Sequence, residues 1–559
     1  MRAIHLLLLL FIGFAAGPSF GDMPDDQYAE QARATLDKYF PPEQLNGTVL
    51  VAHDGKPIFR EAFGLANREW NVANTPDTKF RIGSVSKQFT ATAILQLAEQ
   101  GKLSIDDPVS KYYAAAPAAW QKITIKHLLT HSSGIPSFTS SPNFFKAGAM
   151  VDRTPEEVIA LTRDQPLEFE PGSQFAYDNS GYVLLGYIIE KVSGETYAGY
   201  LQKHIFEPLG MHDTGYEMND AIIPRMACGY RLKDKVWSKA AYLSMDNVYA
   251  AGAIDSTVDD LLRWEQALYA AKPIGDASLK QMTTDYGHKY GFGIFIGQSF
   301  GRDMLWHSGG INGFRSVVGR FPKDALTVIV LSNLESAPVE KIGETLAGLY
   351  FGAGQKTAAA SADDLAPYIG DYKLSSAMVV KVAREGDHLT AQVTHQPSAE
   401  LYAKGNGIFA YKLTDAQIAF HADKDGRIAG LTLHQGALDM DATGIDAAEA
   451  QTLADTLARR VKDQTAVPGS ENALRNSVDE IARGQPNYDK LSPVLANATR
   501  QQLPRLQRML QGLGALQSIS FKGVGPGGSD IYELKFANAT IEGRILLSPD
   551  GIIESMLFH

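Results

Sequence analysis

Two blocks of β-prone sequence lie far apart in this chain, and any fold has to bring them together. The first, residues 47–52 and 56–63, flanks Asp54-Gly55 and reads as a hairpin. The second, residues 291–296, 304–307, 314–321 and 325–332, reads as successive strands closed by a short helix over 339–350. Between the blocks, from about Leu103 to Ala270, helices mix with long loops. Strands at both ends with helices between them predict one α/β unit in which the first hairpin joins the later strands.

Within that unit, Phe80-Arg81-Ile82-Gly83-Ser84 leads into a helical run from Val85 to about Gln100. Phe89, Ala93, Ile94 and Leu97 recur there at helical spacing, and Gly101 stands where a helix would stop. Residues 353–365, rich in Gly, Ala, Ser and Lys, read as a linker. From Tyr368 to about Ile445 the pattern changes to short strands between turn signals, such as 378–383, 388–393, 417–420 and 428–434. This predicts a small β-rich domain, a barrel or a curled sheet. A helical stretch over 447–461 leads to helices near 473–482 and 501–513, and then to strands at 519–522, 530–536, 539–547 and 552–558. These predict a separate α+β domain.

The totals exclude some functions. Of 559 residues, 45% are hydrophobic and 21% charged, a balance that affords large cores. The net charge of -11, without a basic block, disfavours a nucleic-acid partner. Arg2, an apolar run from Leu6 to Ala16, and the small residues Ser19 and Gly21 have the order of a secretory signal peptide. The run is short for a membrane span, so an uncleaved anchor is the lesser alternative, and the mature chain is expected to begin near Asp22. This places the protein outside the inner membrane, in the periplasm. Cys228 is the only cysteine, which rules out an intramolecular disulfide; it is assigned no role.

The candidate chemistry starts at Ser84-Val85-Ser86-Lys87. On a helix, positions i and i+3 share a face, so Ser84 and Lys87 can touch. A serine hydroxyl needs a base to become a nucleophile, and a lysine serves only when desolvation or a positive neighbour makes it neutral. The helix N-terminus adds N–H groups that favour a developing oxyanion. Alone, such a pair reads better as a capping serine and a solvated lysine. Two Gly-x-Ser-x-Gly stretches compete. The one around Ser19 lies in the leader, and the one around Ser299 lies between two predicted strands, where no helix supplies the required elbow. His127 and His131 are spaced as metal ligands on a helix would be, but no third ligand is evident, so they read as structural and no metal is expected. The Gly523–Gly528 stretch leads into a strand and reads as a turn rather than a phosphate loop.

Ser84-Val85-Ser86-Lys87 is followed by Tyr177-Asp178-Asn179 and by His307-Ser308-Gly309-Gly310. In order and separation these resemble the three motifs of the serine β-lactamase and penicillin-binding protein superfamily. Tyr-x-Asn as the second motif points to the branch of class C β-lactamases, DD-peptidases and related esterases. His127-Leu128-Leu129-Thr130-His131-Ser132-Ser133-Gly134 and Ala251-Gly252-Ala253-Ile254-Asp255-Ser256-Thr257 match as well, over roughly residues 40 to 350. The resemblance implies that Ser84 becomes acylated, that Tyr177 acts as a phenolate partner relaying protons with Lys87, and that Asn179 holds Lys87 and a substrate amide. It also implies an oxyanion hole from the backbone of Ser84 and Gly310. His307, Ser308 and Gly309 would complete the substrate-binding strand, with His307 in place of the lysine common in true β-lactamases. No cofactor is implied. The segment Tyr368-Ile369-Gly370-Asp371-Tyr372 resembles the lipocalin-like domains that follow some of these hydrolases.

The implied fold is an α/β (α+β) β-lactamase/DD-peptidase-like domain, its mainly antiparallel sheet flanked by helices, then a small β-rich domain and an α+β C-terminal domain. The division is 1–21 signal peptide, 22–352 hydrolase, 353–365 linker, 366–446 lipocalin-like, 447–470 helical linker and 471–559 α+β domain. The expected activity is acyl transfer from a peptide, a β-lactam or a small ester. A penicillin-recognising sensor or cell-wall binder that has lost turnover is the alternative, and the C-terminal domains could bind a partner. The substrate and the oligomeric state stay open.

Overall fold

The computed structural model describes residues 25–140, 144, 148–233, 235–352, 362–396, 398–411, 416–435 and 438–558. The expected signal peptide, with the elbow-like stretch at Ser19, and residues 353–361 of the expected linker lie outside them.

The first unit is built on a six-stranded antiparallel sheet. In chain order its elements are α1 (Asp25–Tyr39), β1 (Gly47–His53), β2 (Lys56–Phe63), α2 (Ser86–Glu99), α3 (Asn179–Ser193), α4 (Val258–Tyr269), β3 (Phe295–Ser299), β4 (Arg302–Ile311), β5 (Phe314–Phe321), β6 (Leu326–Ser332) and α5 (Val339–Tyr350), with smaller elements between. The sheet order is β3-β4-β5-β6-β1-β2, so the early hairpin joins the late strands, Val49 pairing with Val330. Asp54 and Gly55, at φ 48° and 73°, give the hairpin the doubly positive turn that its right-handed twist favours. Alternation along β1 sorts its side chains between two cores. Val49 and Val51 pack with Tyr28 and Leu36 of α1 and with Ile342 and Leu346 of α5. Leu50 faces the helical layer holding Phe89, Ile94, Ile188 and Trp264.

One strand lies elsewhere than expected. Residues 291–294 are irregular, and the strand runs from Phe295 to Ser299. Buried Phe292 and Ile294 imitate strand alternation, but at Gly293 (φ +71°) a Cβ would lie 2.7 Å from the Lys87 carbonyl oxygen. The backbone is pressed onto the first turn of α2 and cannot continue the ladder. In the other direction β4 is longer than expected and carries the whole third motif.

Eight strands, from Gly370–Lys373 to Leu438–Ile445, close into a barrel, with Tyr372 pairing with Gly444. Val380, Leu389, Leu401, Phe409, Ile418 and Leu431 fill its interior. Leu365, on the short helix Ala362–Leu365, packs into the same core, so the end of the expected linker is part of the barrel's packing. The expected helical linker is a helix, Ala447–Asp463, that also does more than connect. Its Leu457 packs with Ala377 and Leu546, and Arg460 pairs with fully buried Asp530 at 2.7 Å.

The last unit sets helices Ser470–Ala482 and Pro493–Leu513 on a four-stranded antiparallel sheet. The second helix begins at Pro493 rather than near Gln501, capped by the Ser492 hydroxyl and continuing through Pro504. From it, Arg508 donates to the Glu168 carbonyl at 2.9 Å, touching the loop that leads to Tyr177. No helix among the described residues is long and apolar enough to cross a membrane.

Candidate active site

Ser84 sits on the single turn Gly83–Val85, immediately before α2, and Lys87 lies in the first turn of α2. Lys87 is fully buried, and its Nζ has three oxygen neighbours: Ser84 Oγ at 3.0 Å, Asn179 Oδ1 at 2.8 Å and the Ala251 carbonyl at 2.9 Å. Burial lowers this amine to about 7, with Asp178 acting in the opposite sense. A neutral amine has two protons and one lone pair. Asn179 Oδ1 and the Ala251 carbonyl can only accept, so they take both protons, and the lone pair is left facing the Ser84 hydroxyl. This is the geometry a general base needs.

The second motif supplies that arrangement from α3. The Asp178 carboxylate caps the helix, accepting from Ser180 N–H at 2.7 Å and Gly181 N–H at 3.0 Å. Burial pushes this carboxyl up to about 8, against the two N–H donors, which favour its ionised form. Asn179, the first helical residue, donates its Nδ2 to Thr139 Oγ1 at 2.9 Å and its backbone N–H to Ser137 Oγ at 3.1 Å, which fixes Oδ1 toward Lys87. Tyr177 is half-buried, and its hydroxyl is enclosed beside Ser84 without a hydrogen bond of good geometry among the described residues. Burial raises this phenol above its usual range, partly offset by Ser84. A resting phenolate is therefore disfavoured, and Lys87 is the group poised near neutrality.

Glycine lets the third motif reach Ser84. A Cβ on Gly309 would lie 2.0 Å from the Ile82 carbonyl oxygen, and one on Gly83 would lie 3.1 Å from Gly310 N. The turn carrying Ser84 thus lies directly on β4, with Gly310 N–H beside it. Ser308 is half-buried on the same strand. His307 is buried, and both of its ring nitrogens face protein atoms. Its Nδ1 is 2.7 Å from the Ser308 carbonyl, and its Nε2 is 3.2 Å from Tyr290 Oη.

Several neighbours went unassigned in the sequence. Ala251 lies in the quoted stretch 251–257, but its role rests on a carbonyl, which no side-chain pattern reveals. Ser137, Thr139 and Tyr290 stand in no motif. His127 and His131 do not share a helix face: the helix ends at Leu129, His131 has φ 54°, and His127 is engaged in a capping box with Thr124. No cluster of three or more His, Cys, Asp or Glu suited to a metal occurs among the described residues. Ser299 ends β3 and is followed by the turn at Phe300 and Gly301 into β4, so no helix backs it.

The chain is similar to known proteins over most of its length. A family model described as Beta-lactamase matches residues 42–351, and one described as a domain of unknown function, DUF3471, matches 355–449. Penicillin-binding protein 4* of Bacillus subtilis (strain 168) is 28% identical over 431 residues, 70% of this chain and 94% of that protein. The putative penicillin-binding protein PbpX of the same organism is 33% identical over 294 residues, 52% of this chain and 71% of that protein. Among solved structures, the octameric penicillin-binding protein homologue from Pyrococcus abyssi is 26% identical and superposes with a TM-score of 0.52, covering 74% of this chain and 99% of that one.

Proposed function

Because this chain belongs to the β-lactamase family of the serine β-lactamase and penicillin-binding protein superfamily, we propose that it is an exported serine hydrolase working through a Ser84 acyl-enzyme. The observation that carries the reading is the Lys87 amine, buried, lowered to about 7 and placed 3.0 Å from Ser84 Oγ.

The Lys87 lone pair takes the Ser84 proton as Oγ attacks the substrate carbonyl. The oxyanion of the tetrahedral intermediate is met by the backbone N–H groups of Ser84 and Gly310. Collapse expels the leaving group, which takes the proton from Lys87 directly or through the Tyr177 hydroxyl. Water then attacks the ester as its proton passes to Lys87, and collapse breaks the acyl–Oγ bond, releasing the carboxylic acid while Lys87 returns the proton to Ser84 Oγ. Substrates of this reaction are peptides, β-lactams or small esters. The leader-like residues 1–21 and relatives named as penicillin-binding proteins support export.

Labelling with a fluorophosphonate and a fluorescent penicillin, beside hydrolysis of a p-nitrophenyl ester, tests the reading. Wild type should label and turn over, and Ser84→Ala should do neither. An unchanged Ser84→Ala protein would refute the proposal, and labelling without turnover would indicate a sensor.

A further inference from the structure

His307 has both ring nitrogens occupied inside the protein. The Tyr290 hydroxyl that contacts its Nε2 also lies 3.2 Å from Nε2 of His131, and His131 Nδ1 accepts the backbone N–H of Asp178 at 3.1 Å. His131, Tyr290 and His307 are each about 1% exposed.

The two ends of this chain fix its protons. A backbone N–H can only donate, so His131 Nδ1 is bare and the proton of a neutral ring sits on Nε2, aimed at Tyr290. A carbonyl can only accept, so His307 carries its proton on Nδ1, toward Ser308, and offers a bare Nε2. The single Tyr290 hydroxyl proton completes the sequence, received by His307. Both ends demand the same direction. An added proton on His131 would face the Asp178 N–H, and one on His307 would displace the Tyr290 proton from its acceptor. Lys87, Asp178, Tyr177 and Tyr182 surround the chain. Burial and the Lys87 charge hold both imidazoles below the usual histidine range, His307 at about 3.

We propose that this ordered chain makes His307 a positioning residue rather than a substrate ligand, and that the neutral wall it creates selects substrates without a carboxylate on the third-motif side of the cleft. Uncharged esters and amides are then preferred over free C-terminal acids and acid-bearing β-lactams. The inference rests on the acyl-enzyme reading above. A carboxylate against this wall gives up its hydration and meets no free N–H of His307. Arg81, three residues before Ser84 on the short strand Phe80–Arg81, is engaged with Glu217 through bonds of 2.7 and 2.6 Å.

Two measurements test it on the full chain. In long-range proton–nitrogen spectra of protein labelled with 15N-histidine, assigned through His131→Gln and His307→Gln, His131 should appear as the Nε2–H tautomer and His307 as the Nδ1–H tautomer. Neither should titrate between about pH 5 and 8. A protonated ring or the opposite tautomer overturns the chain. In kinetics with two esters differing only as free acid and methyl ester beyond the scissile bond, kcat/KM should favour the methyl ester by about tenfold or more, mainly through KM. Tyr290→Phe removes the donor to His307, so this ratio should shrink as pH falls. A wild-type preference for the acid, or no preference, overturns the proposal, as does a Tyr290→Phe ratio that ignores pH. Fluorophosphonate labelling in parallel separates the two readings. Labelling with no selectivity rejects the neutral wall, whereas a wild type that does not label rejects the acyl-enzyme, and the tautomers still decide the chain.

Discussion

The barrel and the seam between the six-stranded sheet and helices α2 and α3 are both closed to solvent, yet they are filled with opposite chemistry. The barrel core is aliphatic and aromatic, and its Tyr372 hydroxyl donates to the Tyr368 carbonyl at 2.9 Å. The seam holds Lys87, His131, Asp178, Tyr290 and His307, all buried. Burying an ionisable group costs several kcal/mol unless it is neutralised or paired. Each group in the seam meets that cost differently: Lys87 by losing its proton, the imidazoles by sharing one directed chain, Asp178 by capping a helix. The contrast locates the chemistry, since a region built only for stability has no use for such an arrangement.

The strongest way to break the contrast is Lys87→Met. It should lower kcat/KM on the order of 10²–10⁴-fold, the worth of a general base, in ester hydrolysis assays. Its effect on stability should run the other way. The lowered Lys87 pKa means that the unfolded chain binds more protons between about pH 7 and the ordinary lysine value, so wild-type stability rises with pH across that window. Thermal melts should show this rise in wild type and a weaker one in Lys87→Met.

Leu431→Ala, in the barrel core, should show the reverse profile. It should cost about 2–5 kcal/mol in denaturant unfolding while leaving the rate of Ser84 labelling unchanged. A fall in labelling would mean that the two regions are coupled. Smaller still is Thr139→Val, which frees Asn179 Nδ2, removes a partner of Ser137 Oγ as well, and acts on Lys87 only through the seating of Asn179. About a threefold to tenfold loss of kcat/KM is expected, the worth of one hydrogen bond, with the fold intact by circular dichroism.

What the sequence disclosed follows the range of the interactions. Ser84 and Lys87 were legible because their i, i+3 spacing brings them together and two further motifs follow in order, and Asp54-Gly55 because a turn is local. The early hairpin joining the late strands was legible from pattern at both ends. The chain through His131 and Tyr290 was not, because its meaning lies in which nitrogen faces which oxygen across distant loops. Nor was the irregular backbone at 291–294, where Phe292 and Ile294 carry a strand's alternation while Gly291 and Gly293 serve close packing on other backbone. The first turns of the last long helix, residues 493–500, were not read either, although Ser492 and Pro493 are the cap and first-turn residues that open it.

The claim at the centre is that the lone pair of a neutral Lys87 activates Ser84. The direct measurement is the rate at which a fluorophosphonate phosphonylates Ser84, with loss of fluoride, against pH in wild type and Lys87→Met. The account predicts a rate that rises through one proton loss near pH 7 and then levels, with that rise absent from the variant. A wild-type rate flat across this range, or the same rise in Lys87→Met, would contradict it.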